Sequence, residues 1–95
     1  MTEITEVELR NIVAGILEDR ESIIRHNPIG PPEEILLWML LSSLVVYLNL
    51  NELETPCFTG RPDANTYRQA IEFILRDRKK TEFDAGPLLD KISIE

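Results

Sequence analysis

Between Pro31 and Leu50 the chain reads PPEEILLWMLLSSLVVYLNL, and from Ile35 to Leu48 only Ser42 and Ser43 interrupt an apolar run. No other stretch compares with it. The segment reads as one helix that is hydrophobic nearly all the way round, and such a helix has to be covered on every side. Whatever else this chain forms must therefore supply that cover.

The helix has clear start signals. Pro32 suits the first helical position, where its missing N–H is no loss. Glu33 and Glu34 follow in the first turn, where the helix dipole favours negative charge. Asn49, Asn51 and Glu52 restore polarity at the other end, and Pro56 forbids continuation, so the helix is expected from Pro32 to about Leu50. A membrane span needs about 20 largely apolar residues. This run is shorter, carries two serines, and has no flanking Lys or Arg to set an orientation. A buried helix is the expectation, not a membrane span.

The flanking segments supply amphipathic partners. Thr5 and Glu8 have capping-box spacing, with Ile4 and Leu9 placed as a hydrophobic staple. Leu9, Ile12, Val13, Ile16, Leu17, Ile23 and Ile24 then recur at three- and four-residue intervals, which predicts one helix from Thr5 to His26. Arg20 interrupts the stripe and is expected to snorkel at its edge. Gly15 is expected to sit close against the apolar helix, where a bulky residue such as Trp38 needs room. The segment Asn27–Pro32, with three prolines, is a stiff connector that makes the first two helices neighbours.

Asn51 to Pro62 forms the longest non-helical stretch, with Phe58 expected to point inward. A third helix begins near Asp63 or Asn65, either of which can cap it, and carries Tyr67, Ala70, Ile71, Ile74 and Leu75. Gly86-Pro87 opens a short helix through Leu88, Leu89 and Ile92; alternatively Ile92-Ser93-Ile94 alternates like an edge strand. The expected fold is all-α: one domain over residues 1–95, a three-helix bundle around the strongly hydrophobic helix, with a short fourth helix or extended tail.

Two amphipathic helices and a tail are scant cover for a helix apolar on all faces. Each uncovered Leu- or Trp-sized side chain forfeits about 1.5 to 3 kcal/mol, and monomers rarely expose several such residues together. An apolar interface is therefore expected, with a second copy or with another protein. Trp38, Leu41, Val45 and Tyr47, with Phe58 as an anchor, are its candidate residues, since aromatic side chains are enriched at binding hot spots.

Chemistry finds less support. Cys57 and His26 form the one conceivable nucleophile–base pair, but the residues around Cys57 match no nucleophile motif. One Cys and one His cannot close a zinc site. No glycine-rich phosphate loop is present, and no cofactor or small-molecule ligand is expected. The lone cysteine and the acidic N-terminal segment (Glu3, Glu6) suit a reducing, cytoplasmic setting.

A net charge of -7 disfavours nonspecific nucleic-acid binding by the whole chain. Yet six basic and three acidic residues lie between Arg61 and Lys80. Arg68, Arg76, Arg78, Lys79 and Lys80 are thus the alternative nucleic-acid contact. The favoured reading of this cluster is complementarity with the acidic first helix, within one bundle or across a dimer. The function expected from sequence is a small non-enzymatic interaction or assembly module, with a nucleic-acid-associated regulator as the alternative.

Overall fold

The computed structural model describes residues 4–26, 31–53, 55–60, 62–78 and 83–93. Among them the chain is helical, without a strand. Its order is α1 (Glu6–Glu18), α2 (Arg20–His26), α3 (Pro32–Tyr47), α4 (Ala64–Phe73), a π turn (Ile74–Arg78) and α5 (Gly86–Ser93). The expected connector at Asn27–Gly30 lies outside the described residues.

The helix starts follow the local code. Thr5 Oγ1 accepts from Glu8 N–H at 3.1 Å while Thr5 N–H donates to Glu8 Oε1 at 2.9 Å, completing the capping box. Ile4 and Leu9, the staple positions, are both buried. Pro31 caps α3 without a side-chain bond, and its carbonyl accepts from Glu34 and Ile35. Asp63 caps α4, its Oδ1 accepting from both Thr66 N–H and Thr66 Oγ1 at 2.8 Å.

These two bonds, the backbone one first, hold the Asp63 carboxyl below its ordinary value. A group with a depressed folded pKa stabilises the fold above its unfolded value and loses that contribution as pH falls through the folded one. The Thr66 amide resonance is therefore expected to titrate with a midpoint below about 3.9. In Asp63→Asn, which still caps, that titration should vanish and α4 persist. A wild-type midpoint at or above the ordinary value would mean the cap is not formed.

Two helix ends differ from expectation. The first helix is two, because Asp19 leaves helical geometry (φ -95, ψ 12) and α2 restarts at once, Ile23 N–H donating to Asp19 O at 2.9 Å. The break coincides with the gap that Arg20 leaves in the apolar stripe. No proline marks it in the sequence, although Asp19, a residue type favoured at helix N-caps, stands immediately before α2. α3 stops at Tyr47, not Leu50. Asn49 takes the left-handed conformation (φ 53), Leu50 N–H reaches Val45 O at 3.0 Å, and Asn49 N–H reaches Val46 O at 3.2 Å. That pair of bonds is a Schellman cap, with Asn in the place usually held by glycine.

Gly15 does not approach α3. It is exposed, and a Cβ there would meet nothing within 4 Å. The C-terminal segment is helix through Ser93, so the edge-strand alternative fails over the described residues; Ile94 lies outside them.

α3 touches α1, α2, α4 and α5. It buries Leu36, Leu37, Leu40 and Leu44 completely. Facing them are Leu9 and Val13 from α1, Ile71 from α4, Ile74 and Leu75 from the π turn, and Leu89 and Ile92 from α5. α2 contributes no fully buried residue. The cover is thus uneven around α3, and one side of it remains open.

Candidate functional site

On α3, Trp38, Ser42 and Val46 stand four residues apart and so form one ridge along the helix. Ser42, the smallest of the three, leaves a notch between two large neighbours. Trp38 is 44% exposed and Val46 80%. Beside the ridge runs a groove of about 570 Å³, walled by α3 on one side and by the 55–62 loop and Tyr67 on the other.

The far wall is held by aromatic packing. Phe58 and Tyr67 meet edge to face, with centroids 5.4 Å apart and planes at 70°. Phe58 is half-buried against the core, which agrees with its expected inward orientation. Thr55 is fixed by donating through both N–H (3.0 Å) and Oγ1 (2.8 Å) to Asn51 O. On the opposite flank of Val46 a second concavity of about 490 Å³ is lined by Ile12, Ser43 and Tyr47 as well as Ser42 and Val46. The two concavities share Ser42 and Val46, so they form one apolar surface reaching from α1 across α3 to the loop.

Four of the five expected interface residues meet in the first groove: Trp38, Leu41, Val45 and Phe58. Leu41 is only 6% exposed and forms floor, not contact surface. Tyr47, 39% exposed, belongs to the adjoining concavity. Val46, the most exposed residue of the ridge, was not among the expected set. Its signal was present: it lies one turn beyond Ser42, and a serine in an apolar run marks the face that does not go to the core.

No Lys or Arg lines either concavity among the described residues. The surface is apolar, with hydroxyls from serine, threonine and tyrosine. It offers shape and desolvation, not an acid–base pair.

The basic cluster is arranged differently from expectation. Arg68 donates through Nε to Glu72 Oε1 at 3.0 Å on its own helix. Through Nη2 it meets Asp90 Oδ1 of α5 at 2.6 Å and Gly86 O at 3.4 Å. The bond to Glu72 first, and Asp90 with it, raise the guanidinium's pKa further. Arg68 thus ties α4 to α5; the expected partner, the acidic first helix, does not receive it. Arg76 is exposed. The side chain of Arg78, and Lys79 and Lys80 altogether, lie outside the described residues.

Cys57 and His26 are both exposed. The His26 ring is engaged on its own helix, with Nδ1 2.8 Å from Ser22 O. No cluster of three or more metal-ligating side chains occurs among the described residues. None of the described helices is long and apolar enough to cross a membrane.

Comparison with family models, with curated proteins and with solved structures finds no match to the chain.

Proposed function

We propose that this protein is a small non-enzymatic helical module that works by association, as a self-assembling subunit or as an adaptor or regulator of another protein. The observation that carries the reading is the apolar surface around Val46. A valine at 80% exposure beside a half-exposed tryptophan on the same ridge is the kind of patch that monomers seldom leave uncovered. In this reading α3 is the central helix of a bundle with α1 and α4, and α2 and α5 are short additions. The lone exposed Cys57 fits a reducing, cytoplasmic setting.

Val46→Asp provides the test, because the side chain is exposed and a negative charge in the last turn of α3 should lower folding stability by only about 1 kcal/mol. Two readouts are compared for the wild type and the variant: mass in solution over a wide concentration range, and protein retained from the source cell after a high-salt wash. The expected result is association by the wild type that the aspartate abolishes. A wild type that stays monomeric at every concentration, with both forms retaining the same proteins, overturns the reading.

A further inference from the structure

We draw no further inference here: the strongest candidate, the apolar surface that runs from Ile12 of α1 across Ser42 and Val46 of α3 to Phe58 in the loop, carries nothing beyond the association reading, because nothing in the structure shows what covers it.

Discussion

Replacing Leu40 with alanine is expected to destabilise the fold by about 2 to 5 kcal/mol. Leu40 is completely buried midway along α3, in a cluster to which α1, α4 and α5 all contribute. Truncation there removes three carbons from a close-packed site and leaves a cavity that several helices would have to move together to fill. For a domain whose whole stability is about 5 to 15 kcal/mol, this is a large fraction, so the urea midpoint should fall steeply while the slope stays constant. Leu40→Met, which conserves volume, should cost less than about 1.5 kcal/mol. The measurement is equilibrium unfolding followed by far-ultraviolet circular dichroism. A Leu40→Ala variant within about 0.5 kcal/mol of wild type would show that this face of α3 is not enclosed.

Arg68→Met should produce the next largest loss, about 1 to 2 kcal/mol. The figure is moderated because the guanidinium is partly exposed and the Asp90 side chain is half in water. What is lost is specific: one planar group spans Glu72, Asp90 and the Gly86 carbonyl, so α5 loses its polar tie to α4. Hydrogen exchange should therefore accelerate in α5 more than in α1. Arg68→Lys should not restore protection, since a single ammonium cannot reproduce the fork that reaches two carboxylates on different helices. Together with Asp90→Asn, a double-mutant cycle isolates the pair itself. Unchanged exchange in α5 would mean that apolar contacts through Leu89 and Ile92 hold that helix unaided.

How far sequence could foresee this arrangement depends on the range of each interaction. Caps act over three residues, and the Thr5–Glu8 box and the Asp63 cap were legible as spacings. The turn at Asp19 was not, because the apolar stripe reads as one helix across it and no proline stands there, although aspartate is a residue type that favours a helix start. Gly15 illustrates the opposite error: a glycine suggests close approach, yet that face turned out to point at water. Arg68 could be read only as a member of a basic cluster, since Asp90 is 22 positions away and nothing local joins them. On α3 the difficulty was one of phase. A helix apolar on every side has no inward direction written in its pattern, and only the position of Ser42 hinted that Trp38 and Val46 share the open face. Trp38, Leu41, Val45 and Phe58, chosen as large apolar and aromatic side chains, line one groove; the position of Ser42 played no part in that choice, and Val46 was missed.

The half-exposed tryptophan on the open ridge decides what light can report about this molecule. Trp38 is the chain's single indole, and it stands beside the core instead of inside it. Its emission therefore senses the groove as well as the fold. On thermal or chemical unfolding the indole passes from partial to full hydration, which moves the emission to longer wavelength. On docking of an apolar guest it loses its remaining hydration, which moves the emission to shorter wavelength. The direction of the shift in this protein's intrinsic fluorescence consequently separates occupancy from unfolding.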